Sequence, residues 1–142
     1  MRMRFLSLHC EYFRYITTKK SRSRLLEELN GDNRQGELEN CLLLLISVEK
    51  QDESKPTLIE RSLEEIEKII SQLKVSNIVL LSFAHLFGEL SSPDFGLQSL
   101  RSLENELKDK GFNILRPPFG WFNELELKAK GHPLSRMSRI VE

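Results

Sequence analysis

Three histidines, His9, His85 and His132, and two cysteines, Cys10 and Cys41, are the residues of this 142-residue chain best suited to nucleophilic, acid–base or metal chemistry. A zinc site draws such ligands from closely spaced pairs, and none of the five stands at that spacing. The cysteines lie 31 positions apart and in no CxxC pair, so they read as buried thiols rather than a disulfide framework. A Ser–His–acid hydrolase presents its serine on a strained elbow such as GxSxG, and no such run occurs. The seven glycines form neither GxGxxG nor a P-loop, which argues against nucleoside-triphosphate chemistry. What remains is His85 at the end of an apolar run, the turn through Pro118, Phe119 and Gly120 into Trp121 and Phe122, and the Lys130–Gly131–His132–Pro133 segment. Backbone demands alone account for such Pro/Gly turns, and a lone histidine at a strand end is more often structural than catalytic.

The elements that must position these residues can be read from apolar periodicity. Residues 3–8 are expected to open the chain as a strand that continues past His9 into 11–15 after a bend. The polar stretch 17–40, with its Asn30-Gly31-Asp32-Asn33 cluster, reads as a long loop carrying a short helix at 24–29. Residues 41–48 are a continuous apolar run, the pattern of a strand buried on both faces. Thr57 and Glu60 have capping-box spacing, and Ile59, Leu63, Ile66, Ile70 and Leu73 form one helical stripe. A second buried strand is expected at 78–83, breaking into a loop at Ala84, His85 and Leu86. A second helix is expected to start at Pro93 and Asp94, expose Leu100, Leu103 and Leu107 to the core, and stop at Lys108, Lys110 and Gly111. A short strand at 112–115 leads into the 116–120 turn, and Leu125, Leu127 and Ala129 alternate with charge as a half-exposed strand. Residues 134–141 return as the last strand of a hairpin. The order β, β, β, α, β, α, β, β, β implies an α/β sandwich: a mixed sheet with two main helices packed on it.

Composition sets the frame. A chain of this length suits one domain, and 39% apolar with 30% charged residues and no Gly/Ser/Pro-rich tract describes a folded one. Lysine plus arginine (21) balance aspartate plus glutamate (21), so no net field draws nucleic acid to the whole surface. Up to Arg24, however, seven cations face Glu11 alone, and acids concentrate at 52–67, which is either a basic edge opposite an acidic face or ordinary solvated charge. No apolar run approaches the ~20 residues that span a bilayer, and the N-terminus lacks a signal-peptide pattern, so a cytoplasmic location is expected.

Several segments in order resemble the N-terminal editing domain of archaeal threonyl-tRNA synthetases. They are Ile46-Ser47-Val48-Glu49-Lys50, Phe83-Ala84-His85-Leu86 with Glu89 and Leu90, Lys110-Gly111-Phe112-Asn113, Pro118-Phe119-Gly120, and Lys130-Gly131-His132-Pro133-Leu134 followed by Ser138 and Arg139. The resemblance spans 41–139, fits 4–11 more loosely and hardly touches 17–40. It implies a fold like that of D-aminoacyl-tRNA deacylases and a homodimer. It also implies a single editing module over 1–142, N-terminal in a longer synthetase, a placement that a chain ending at Glu142 just past the last strand favours. The implied reaction is hydrolysis of serine wrongly esterified to the 3′ end of threonine tRNA, without metal or cofactor. Serine lacks one methyl of threonine, which gives a synthetic site only ~1–3 kcal/mol of discrimination, so a second hydrolytic site completes the sorting.

The resemblance places the pocket among Val48, the Phe83–Ala84–His85 turn and the segment after Gly120, around the terminal adenosine. It assigns ester orientation and oxyanion stabilisation to the main chain of Ala84 and His85, with the ribose 2′-hydroxyl helping to activate water. This chain departs from the family where many members carry Tyr-Tyr-Lys and an acid: Trp121, Phe122 and Asn123 follow Gly120, and Arg136 follows Gly131-His132-Pro133-Leu134. Phe and Asn move no proton near neutral pH, so activity here would rest on main chain and RNA hydroxyl rather than on those side chains. Asn123 is a candidate partner for the serine hydroxyl and Arg136 for a phosphate. Two other functions stay open: a non-catalytic module that grips the tRNA acceptor end or dimerises, and a broad D-aminoacyl-tRNA deacylase.

Overall fold

A 17-residue strand, β1 (Arg4–Lys20), organises the molecule, because every backbone N–H and C=O along it needs a partner. The computed structural model describes residues 3–83 and 89–142. One edge of β1 is covered by β2 (Gln35–Ser47), antiparallel, with Arg4 opposite Ser47 and Ile16 opposite Gln35. The other edge is shared by β5 (Trp121–Ala129) over Cys10 to Lys20 and β6 (Arg136–Ile140) over Arg4 to Leu8. Beyond β2, β3 (Asn77–Ser82) and β4 (Asn113–Leu115) add in parallel, so the order is β4-β3-β2-β1-β5, with β6 also on β1. Among the described residues this makes one six-stranded mixed sheet.

Parallel neighbours need crossovers, and the two helices supply them. Helix α1 (Leu58–Leu73) joins β2 to β3, and α2 (Pro93–Asp109) joins β3 to β4. Both lie on one face, where Leu63, Ile66, Ile69, Leu100, Leu103 and Leu107 meet Phe5, Leu42, Leu44, Ile46, Ile78 and Leu80. The start of α2 is as the sequence predicts: Pro93 opens it, and Ser92 Oγ accepts from Phe95 N at 3.2 Å. The start of α1 is also in place, but Thr57 makes no side-chain cap, because its ψ of 12° is not the extended conformation a capping hydroxyl needs. The opposite sheet face holds a second core of Cys10, Phe13, Tyr15, Cys41, Leu43, Val79 and Leu81. The sheet curls over this core: Leu115 of β4 packs against Gly36 and Tyr15 at the far end of β1 and β2, and a Cβ on Gly36 would come within 2.8 Å of it.

The opening strand continues past His9 as expected, and the bend is a β-bulge: its register with β5 shifts between Cys10 and Tyr12, and the inward residues change from Leu8 and Cys10 to Phe13 and Tyr15. Three other expectations are corrected. Strand β2 begins at Gln35, inside the stretch read as loop, because β1 runs on to Lys20 and offers a partner edge that polar residues 35–40 give no sign of needing. The closing hairpin does not exist: β5 and β6 do not pair but run in the same direction along one edge of β1.

No helix forms at 24–29. Glu27 N donates to Phe119 O (3.0 Å) and Trp121 Nε1 donates to Glu27 O (2.7 Å), so this backbone is bonded to the 116–120 turn instead of to itself. The Glu27 carboxylate takes a two-pronged bond from Arg116 (2.6 and 2.8 Å) and one from Phe119 N (2.6 Å), while Arg116 Nε also holds Glu104 of α2 at 2.8 Å. Gly120, at φ +89°, sits where a Cβ would lie 2.5 Å from Leu25 O, so this turn requires glycine. Glu27→Ala leaves the largely buried Arg116 guanidinium with Glu104 as its remaining carboxylate and leaves Phe119 N without its acceptor, and is expected to cost about 2–3 kcal/mol in urea unfolding. Arg101→Ala, which removes a 3.3 Å contact to Glu27 from an exposed side chain, is expected to cost under ~1 kcal/mol. Equal losses in the two variants contradict the assignment of Arg116 as the main partner.

Candidate functional site at the carboxyl ends of the parallel strands

In sheets with parallel strands, ligands bind beyond the strands' carboxyl ends, where chain leaves the sheet and backbone groups come free. Here β2 and β3 end side by side, Ile46 opposite Ser82, and Phe83 N donates to Ile46 O at 2.8 Å. Val48 follows directly, its side chain 7% exposed in the helix-side core and its carbonyl accepting from Ser91 N at 3.0 Å. Lys50 N donates to Glu89 O (2.9 Å) and Glu49 bridges to Leu90, so 89–91 is tied alongside 48–50. Phe83 is 38% exposed at this rim. Ala84 and His85, to which main-chain catalysis is assigned, lie outside the described residues.

Charged groups buried here carry no obvious motif in the sequence. Asp52, fully buried in the 3₁₀ turn Lys50–Ser54, accepts from Met3 N and Glu49 N, both at 2.7 Å, and thereby anchors the start of β1 to the end of β2. Burial pushes its carboxyl upward, against those two backbone bonds and Lys55. Glu49, also fully buried, lies 3.5 Å from Arg4 Nε. The Ser47 hydroxyl beside them is buried without a hydrogen-bond partner among the described residues.

The remaining predicted residues are elsewhere along β1. Asn123 lies opposite Thr17, thirteen residues, or ~43 Å of strand, from Arg4 and the β2 end. Its amide has partners there: Oδ1 accepts from Thr17 Oγ1 at 2.7 Å, and Nδ2 donates to Trp121 O at 3.3 Å. Phe122 is 53% exposed, and its carbonyl accepts from Thr18 Oγ1 at 3.2 Å. Arg136 is exposed on β6 opposite Leu8, between the two ends. A single chain therefore brings Val48 and Phe83 together but not Phe122 or Asn123 with them. A separate open groove of about 790 Å³ lies among β1, β2 and β5, between Arg14, Ile16, Glu37, Glu124 and Glu126.

Comparison with known proteins decides the family. The model of the archaea-specific editing domain of threonyl-tRNA synthetase matches residues 3–141. The chain belongs to that family. A threonine–tRNA ligase from Thermococcus sibiricus is 41% identical over 140 residues, and one from Methanocaldococcus jannaschii is 42% identical over 141. Each alignment covers 98% of this chain but 22% of the relative, so this editing domain spans about a fifth of the curated ligases it matches.

Within the editing domain, two of the three histidines meet. Leu134 N donates to Nδ1 of His132 (3.2 Å), which leaves the proton of His132 on Nε2, 2.9 Å from Nδ1 of His9. His9 then carries its own proton on Nε2 and donates it to Asn40 Oδ1 at 3.2 Å, an oxygen that Lys130 Nζ also reaches at 2.8 Å. Both imidazoles are neutral in this chain of bonds. His9 is also where β1 changes partner: Lys130 N donates to its carbonyl and its N–H donates to Ser135 O, each at 2.8 Å. The spacing of 123 positions between His9 and His132 hid this pair in the sequence.

Burial lowers the His9 pKa below 6.5; Lys130 and His132 lower it further, against the bond to Asn40. The unfolded chain therefore binds the extra proton first, and stability is expected to fall as pH drops below 6.5. Thermal melts between about pH 7.5 and about pH 5 should show this acid loss, with His9 titrating below 6.5 by NMR. His132→Phe, which deletes the donated N–H, is expected to cost about 1 kcal/mol at neutral pH. A melting temperature flat across that range contradicts the neutral pair.

Proposed function

We propose that this editing domain hydrolyses serine from mischarged threonine tRNA, attacking the ester at the terminal adenosine. The observation that carries the reading is the family match over residues 3–141, with Val48 and Phe83 following the carboxyl ends of the adjacent parallel strands β2 and β3. Substrate is held there by Val48, Phe83 and the main chain of Ala84 and His85. The ribose 2′-hydroxyl positions the attacking water, and backbone N–H groups stabilise the oxyanion. The chemistry uses no metal or organic cofactor and asks no proton transfer of Phe122 or Asn123.

The separation along β1 shapes the rest of the proposal. Phe122 and Asn123 sit a strand length away from Val48 and Phe83, so one protomer does not present both groups to one aminoacyl end. In the proposed homodimer, a two-fold axis sets the β5 end of one copy near the β2 and β3 ends of the other. Arg136, exposed and with no acid in hydrogen-bonding contact among the described residues, is assigned to a tRNA phosphate. The domain would act in the cytoplasm as the N-terminal module of a longer synthetase. Among the described residues, no helix is long and apolar enough to cross a membrane.

Deacylation of Ser-tRNA(Thr) by the isolated chain tests this, run beside Thr-tRNA(Thr), a D-aminoacyl-tRNA and a Ser-tRNA lacking the terminal 2′-hydroxyl. Serine release that spares threonine and collapses without the hydroxyl is expected. Release no faster than the uncatalysed rate, with tRNA bound, would leave a binding module in place of an enzyme. Preferential cleavage of the D-ester would move the substrate class to D-aminoacyl-tRNA. Arg136→Ala is expected to weaken tRNA binding and lower its salt slope by about one.

A further inference from the structure

The fold places Cys10 and Cys41 directly opposite each other in the antiparallel β1–β2 ladder, although 31 residues separate them in sequence. Both side chains are fully buried and belong to the same core on the sheet face away from the helices. Opposed residues in such a ladder have Cα atoms ~4.5–5.5 Å apart, inside the ~4.4–6.8 Å range that disulfides span. We propose that Cys10 and Cys41 form a redox pair, which a hydroperoxide converts to an intrachain disulfide that staples β1 to β2.

The two thiols share one core cluster across this ladder position, with Cys10 Sγ 3.6 Å from Leu8 O and Cys41 Sγ 3.8 Å from Leu38 O. Both thiols are equally buried, so either can supply the attacking thiolate. When Cys10 attacks, it displaces water's conjugate base from the peroxide O–O bond and becomes a sulfenic acid. Cys41 sulfur then attacks that sulfenic sulfur, the S–O bond breaks, and the oxygen leaves as water. Two thiols lose two protons and two electrons, and one hydrogen peroxide becomes two waters.

Burial slows entry of the oxidant, but the ladder is irregular at this point. Asn40, next to Cys41, has φ +41°, and β1 shifts register against β5 between Cys10 and Tyr12. Bulges interrupt pairing, and local opening starts where pairing is weak. Closing the loop between the cysteines restricts the unfolded chain, so the oxidised form is the more stable one.

The test exposes the folded chain to hydrogen peroxide, blocks residual thiols and maps peptides by mass spectrometry without reduction. Expected are a monomer with no alkylatable thiol and a linked pair of tryptic peptides, 5–14 and 35–50. A raised melting temperature that dithiothreitol reverses is expected with them. Cys41→Ser and Cys10→Ser should each stop instead at a dimedone-reactive sulfenic acid on the remaining cysteine. The proposal is overturned if both thiols stay alkylatable under oxidant that consumes them in urea, if the disulfide links two chains, or if the linked monomer melts lower. Because the readouts are mass and melting temperature, the outcome is independent of editing activity.

Discussion

A strand of 17 residues has more backbone donors and acceptors than one ordinary neighbour can satisfy, and that excess in β1 sets the architecture of the domain. One edge takes the whole of β2; the other is too long for β5 and is completed by β6. The handover occurs at His9, whose N–H and C=O bond to Ser135 and Lys130 on either side of the 131–134 turn. Everything that gives the domain its shape follows from this division of edges, including the crossover helices that must lie on the side where Phe5, Leu42 and Ile78 project.

The handover is also where polar groups gather on one side of the sheet and thiols on the other. His9, His132, Asn40 and Lys130 form a directional set of hydrogen bonds, while neighbours Cys10 and Cys41 point into the opposite core. The bulge explains the coexistence. By shifting the strand one residue, it lets Phe13 and Tyr15 continue the inward row that Leu8 and Cys10 begin. A regular strand of this length would have turned one of the two halves the wrong way out.

Far from that point, two polar anchors hold the ends. Asp52 ties the N-terminus of β1 to the exit of β2 through two backbone amides, next to the strand ends assigned to substrate. Glu27 and Arg116 tie the irregular 21–34 crossing to α2 and to the turn before β5. The first anchor shapes the candidate site directly. The second fixes where Trp121 begins β5, and so where Phe122 and Asn123 stand.

Local pattern alone determined the buried strands at 41–48 and 78–83, both amphipathic helices, the half-exposed strand containing Leu125 and Leu127, and, through ordered motifs, the editing-domain family. These are features whose cause lies within a few residues: period, turn chemistry, helix ends. The tertiary structure decided what depends on partners distant in sequence. Polar residues 35–40 became strand because β1 was there to pair with, and 24–29 gave up a helix because Phe119 and Trp121 claimed its backbone. Residues 134–141 returned to β1 and not to β5. His9 met His132, Cys10 met Cys41, and Asn123 was carried away from Val48, because register along β1 sets these distances and no local period encodes register between strands.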